Sequence, residues 1–173
     1  MASKGDIQAT RSALQQVSTT AAEAIDATET EIDLTSAASF PTSGTILIES
    51  EVITYTGKST NTLTGCVRGA NGTTAATHAN TTPVTLMQQI IIPPIRLRAI
   101  TVASDGTGAG SMTLTSNDGI SLLIMDVPNG DVLNLNMPED GILFPKGIFL
   151  TSSVDVAAFT LFTDKYSGKG LTA

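Results

Sequence analysis

Residues Thr45–Gly57 read TILIESEVITYTG. Two runs rich in β-branched residues, Thr45–Ile48 and Val52–Thr56, flank the polar triplet Glu49–Ser50–Glu51. Branching at Cβ stiffens χ1 and suits a pleated surface, so the stretch is predicted to be a β-hairpin with its turn at the triplet. The same texture extends in both directions. Upstream, FPTSG (Phe40–Gly44) is a turn, since Pro fixes φ and Gly permits positive φ. Further upstream, EIDL alternates, with Ile32 and Leu34 on one side and Glu31 and Asp33 on the other, as in a half-buried strand. Downstream, NTLTGCVRG holds a short strand, and Val84–Ile92 is predicted as a longer one.

At IIIPPI, Pro93 and Pro94 cannot donate to a ladder and mark a boundary. A second β series follows: Ile95–Ala103, Ser111–Thr115, Ser121–Val127, Val132–Met137, Gly147–Leu150 and Ala157–Thr163. Its separators are SDGTGAG, SNDG, PNGD and PEDG, and Asn-Gly and Asp-Gly are strong hairpin signals. VLNLNM alternates, which predicts Leu133, Leu135 and Met137 facing inward. The composition agrees, with 27 Thr and 15 Gly in 173 residues. The predicted fold is all-β: a small β-barrel or sandwich module (21–92), then an antiparallel β-sandwich (93–166). A polar N-terminal arm or short helix (1–20) precedes them, and a flexible C-terminal tail (167–173) follows. The helical option rests on a thin stripe, Ile7, Leu14, Val17, Ala21 and Ile25, with Asp6 as N-cap.

Net charge is −7, which argues against nucleic acid as a partner, because phosphate binding needs a basic field. Seven acids and no base lie between Glu23 and Glu51; Lys58, Arg68, Arg96 and Arg98 and no acid lie between Val52 and Ser104. That segregation suits side-by-side packing of modules or subunits, or equally two solvated faces. One Cys forms no internal disulfide. MASKGDIQATRSALQQ lacks the apolar region of a secretory signal, and no apolar run is long enough for a membrane helix. The sequons at Asn71 and Asn80 are read as products of a Thr-rich loop.

Chemistry, if present, belongs in LTGCVRGANGTTAATH (Leu63–His78), which holds the only Cys and the only His. Cys66 and His78 have no second Cys or His to complete a zinc site. The acidic turns lack calcium-loop spacing. Gly72 is followed by Thr rather than the Lys of a phosphate-binding loop, and no G-x-S-x-G is present. Glu49 and Glu51 resemble paired glycosidase carboxylates only in number, flank a predicted turn, and have no Trp nearby to hold a sugar. No catalytic, cofactor-binding or metal-binding residue is assigned, and no enzyme activity is expected.

SFPTSGTILIESEVITYTG and LTGCVRGANGTTAATHANTTPV together resemble a module recurrent in virion proteins of tailed bacteriophages. The matching positions are Phe40, Pro41, Gly44, Glu51, Tyr55, Gly57, Arg68, Gly69, Gly72, Thr73 and His78; Asn80 departs from the usual Gly. RLRAITV, LLIMDVP, EDGILFPKGIFLT and AAFTLFT are similar to small β-sandwich virion proteins of marine phages such as cyanophages. The resemblance implies a virion structural protein made in the bacterial host cytoplasm. Its implied role is a capsid decoration or cement protein on the major capsid protein, forming a homo-oligomer, by analogy a homotrimer. A phage tail or neck component, such as an adaptor or fibre base, is the alternative, and a carbohydrate-binding module the third. Arg68, with its fork of donors, is expected to tie loop carbonyls or Glu51 together. His78 and Tyr55 are expected to cap loops, and Gly69 and Gly72 to supply backbone freedom.

Overall fold

Two apolar clusters with no member in common organise the chain, one drawn from Ala21–Leu86 and one from Ile95–Leu161. The computed structural model describes residues 7–12, 16–91, 94–138 and 140–164. Apart from a single short 3-10 turn, every regular element among them is a strand, and all pairing is antiparallel.

The first two strands go to different places. β1 (Ile7–Ser12) pairs with the last strand of the molecule, Ile7 opposite Asp164 and Ser12 opposite Phe159. β2 (Ser18–Thr20) joins the first sandwich, where Ser18 opposes Thr85. The helical option over residues 1–20 is therefore corrected: Ile7–Ser12 and Ser18–Thr20 are strands. A narrow apolar stripe does not offset the cost of nucleating a short helix. A neighbouring strand edge offers backbone partners along the whole segment. Asp6 and Leu14, like the tail at 167–173, lie outside the described residues.

The first sandwich continues with β3 (Glu31–Asp33), β4 (Gly44–Ile48), β5 (Glu51–Tyr55), β6 (Gly57–Ser59), β7 (Thr62–Thr64) and β8 (Pro83–Leu86). One sheet runs β2-β8-β4-β5 and the other β3-β7-β6. Ile32 and Leu34 are buried as their alternation predicts, and Ile46, Ile48, Ile53 and Leu63 join them. The hairpin is tighter than expected. Ile48 pairs with Glu51, so only Glu49 and Ser50 form the loop, with Glu49 at φ 53°. Glu51 thus belongs to the strand.

The strand predicted over Val84–Ile92 is two strands. Met87 donates its N–H to the Thr45 carbonyl at 2.9 Å and ends the first sheet. β9 (Gln88–Ile91) then pairs in the second sandwich. That sandwich adds β10 (Ile95–Ser104), β11 (Gly110–Thr115), β12 (Ser121–Val127), β13 (Val132–Asn136), β14 (Ile142–Phe144), β15 (Ile148–Val154) and β16 (Val156–Asp164). Its sheets are β1-β16-β10-β13, with β14 also on β10, and β12-β11-β15-β9. Leu97, Ile100, Val102 and Leu161 from one sheet meet Leu114, Met125 and Leu150 from the other.

The sandwiches touch at the β11–β12 turn. Gly119, at φ 78°, sits so close to Leu47 that a Cβ would lie 2.7 Å from its Cδ1. Beside it, Asn71 Nδ2 donates to the Asn117 carbonyl at 2.6 Å. The inward placement of Leu133 and Leu135 needs correction. They share a side with Ile100 and Val102 across the ladder, yet remain 36% and 38% exposed. β13 is the outermost strand, and the opposing sheet does not cover it. Cations of the basic stretch make contacts within the chain. Lys58, Arg68 and Arg98 are spent inside the chain, on carbonyls and on Glu51, Asp140 and Asp164.

Candidate functional site

The residues singled out in Leu63–His78 converge on one carboxylate. Glu51 sits at the start of β5 with its side chain fully buried. Arg68 approaches it bidentately, Nε to Oε1 and Nη2 to Oε2, both at 2.8 Å. The Gly69 N–H donates to Oε1 at 2.9 Å and the Ala76 N–H to Oε2 at 3.1 Å. His78 Nε2 lies 2.7 Å from Oε2. Burial alone raises the Glu51 pKa, but Arg68, His78 and the two backbone amides outweigh it and hold the carboxyl at about 2.

Each partner is fixed from elsewhere. Arg68 also donates to the carbonyls of Ala76, at 2.7 Å, and of Asp26. His78 Nδ1 lies 2.8 Å from Glu49 Oε2, so the ring is clasped between the two acids of the hairpin. The His78 backbone bridges Ile25 in both directions at 2.9 Å. Gly69 reaches Glu51 from a left-handed conformation, φ 58°, in which a Cβ would crowd the Thr73 carbonyl at 3.0 Å. Thr73 Oγ1 accepts from the Val52 N–H at 3.0 Å and donates to the Ala70 carbonyl at 2.8 Å. The loop is thereby stitched to β5 at several points.

Tyr55 and Gly72 are not part of this cluster. Tyr55 Oη donates to the Pro41 carbonyl at 3.1 Å, and its ring lies over Gly44, where a Cβ would come within 3.0 Å of Oη. This ties the FPTSG turn to the hairpin. Gly72 serves the loop only through its φ of 90°. Sequence reasoning missed Lys58, whose Nζ donates to the carbonyls of Ala37 at 2.9 Å and Phe40 at 2.6 Å. It also missed the Glu49–His78 contact. The signal for both was weak: a lone base after a strand, and an acid in a turn.

Chemically the cluster is a closed staple. Both Glu51 oxygens are saturated by donors, both His78 nitrogens face carboxylates, and the ring is buried. Cys66 stands apart from it, its thiol directed at the Leu63 carbonyl at 3.5 Å, and burial pushes it up to about 11. At pH 8 a disulfide reagent should therefore label Cys66 at least about 100-fold more slowly in the native protein than in urea. Equal rates would show a reactive thiol. A separate cleft of about 510 Å³ is lined by Glu23, Thr28, Glu29, Thr30, Glu31, Asp33 and Thr62. It presents no aromatic face on which a sugar would stack. No protein-family model matches this chain, and neither a curated protein nor a solved structure matches it.

Proposed function

We propose that this chain is a structural protein of a tailed-phage particle, and within it a capsid decoration or cement protein bound to the major capsid protein. The observation that carries this reading is the use made of the residues that resemble the phage virion module. Glu51, Arg68, Gly69 and His78 consume one another's hydrogen-bonding capacity inside the first sandwich. A long loop is thereby converted into a rigid surface, and rigid surface is what a protein needs when its work is to contact other subunits. The β-sandwich resemblance of Ile95–Phe162 supports the same role.

The test is the copy number of the chain in purified particles, by quantitative mass spectrometry against the major capsid protein. A decoration protein on an icosahedral lattice should be present at on the order of hundreds of copies. A neck or tail component, built on a low-order ring, would be present at about three to twelve. Absence from the particle would overturn the reading altogether.

A further inference from the structure

β13 lies at the margin of the second sandwich with the sequence Val-Leu-Asn-Leu-Asn over residues 132–136, and all five residues are exposed. Val132 is 57% exposed, and Leu133 and Leu135 are more than a third exposed. One edge of β13 is hydrogen-bonded to β10; on its other edge no strand lies among the described residues. Exposed apolar edge strands template pairing, and proteins usually blunt them with Lys, Pro or a bulge. Val132–Asn136 contains neither residue, and its ladder with β10 runs without a register shift.

The ladder also fixes which backbone groups point outward. Ser104 donates to the Asp131 carbonyl at 3.0 Å, and Met137 donates to the Arg98 carbonyl at 2.8 Å. Residues alternate along an antiparallel strand, so Asp131, Leu133, Leu135 and Met137 turn their backbone groups toward β10. Val132, Asn134 and Asn136 turn theirs to the free edge.

We infer that β13 pairs antiparallel with β13 of a second copy of this chain, about a two-fold axis at Asn134. In that register Val132 faces the partner's Asn136, and Asn134 faces the partner's Asn134. These are the positions whose N–H and C=O groups are free to be exchanged. Leu133 meets the partner's Leu135 at the intervening pair, where cross-strand side chains come closest. The four leucines lie on the side of the sheet that carries Ile100 and Val102, so pairing extends each core across the joint. No charge opposes a like charge: the strand has none, and the flanking Asp131 meets the partner's Met137. This near-identity of the strand with its own reverse is what an isologous interface requires, and a different partner would not need it. The inference is independent of where in a particle the chain resides.

Sedimentation equilibrium of the full chain from about 1 to 100 μM tests it. The wild type should run at twice the chain mass. Asn134→Asp keeps the Oδ1 that accepts from Thr101 Oγ1 at 2.6 Å, but sets two carboxylates face to face on the axis. Asn134→Lys sets two ammonium groups there. Each variant alone should dissociate at least about tenfold more readily, and an equimolar mixture of the two should return to twice the chain mass. That recovery also shows that both variants are folded. A monomeric or trimeric wild type overturns the inference, as does a monomer that binds only another protein through β13. So does a dimer unmoved by Asn134→Asp, or a mixture that stays monomeric.

Discussion

Glu51→Ala should lower the unfolding free energy by about 3–5 kcal/mol, read as a fall in the urea midpoint at unchanged slope. The size follows from what the substitution leaves behind. Arg68, with a side chain only 6% exposed, loses its carboxylate, and His78 loses the acceptor at Nε2. Two backbone amides, Gly69 and Ala76, lose theirs as well. An uncompensated buried charge dominates the cost, and the orphaned donors add to it. The acid side of the stability profile should change too. Glu51 has a folded pKa of about 2 against an ordinary 4.5. Its stabilisation is therefore present in full above pH 4.5 and is lost as pH falls from there toward 2. Glu51→Gln should flatten the wild-type profile across that window while leaving the contributions of other acids in place. A Glu51→Ala midpoint within error of wild type would mean that the loop is held by something other than this hub.

The strands of this protein were easy to read and their partners were not. Ile32 and Leu34 announce themselves by alternation, because a strand with one buried face repeats every two residues. The Asn-Gly and Asp-Gly turns announce the hairpins for a similarly local reason. Pairing over distance leaves no such trace. Nothing local in IQATRS indicates that it will lie beside residues 159–164, and nothing in QQII indicates that it leaves the first sandwich for β15. The helical stripe through Ile7 and Val17 was a local pattern overruled by an available sheet edge.

The site divides along the same line. That Arg68, Gly69 and His78 act as staples was legible, because their residue types do little else in a loop that fails each catalytic template. Glu51 as the hub was half legible. A charged residue beside a two-residue loop is ordinarily a solvated one, and only the convergence of donors from residues 68–78 makes its burial tolerable. The His78 contacts run to residues 27 and 29 positions away, beyond the reach of any spacing rule. β13 fails in the opposite sense. Its alternation is clean, but periodicity reports only which side a residue faces, not whether anything covers that side.

Replacing the whole cluster with apolar residues separates two accounts of why it exists. A buried ion pair can often be exchanged for hydrophobic side chains of similar volume at no loss, or even with a gain. If that were all Glu51, Arg68 and His78 amounted to, then Glu51→Leu, Arg68→Met and His78→Leu combined should be as stable as the wild type. The geometry argues otherwise, because the partners of Glu51 are not all side chains. The amides of Gly69 and Ala76 point at its oxygens and stay in place when the side chains change. Gly69 is held there by a left-handed backbone that cannot simply swing the amide to water. Each of the two orphaned amides costs about 1–3 kcal/mol, so the triple variant should remain about 2–6 kcal/mol below the wild type in urea unfolding. Because the wild type alone loses the Glu51 contribution as pH falls from 4.5 toward 2, that deficit should be largest above pH 4.5 and shrink across the window. Wild-type stability in the triple variant would reduce the cluster to a removable ion pair. A deficit that persists above pH 4.5 and narrows toward pH 2 would identify the carboxylate as the acceptor around which the loop backbone is built.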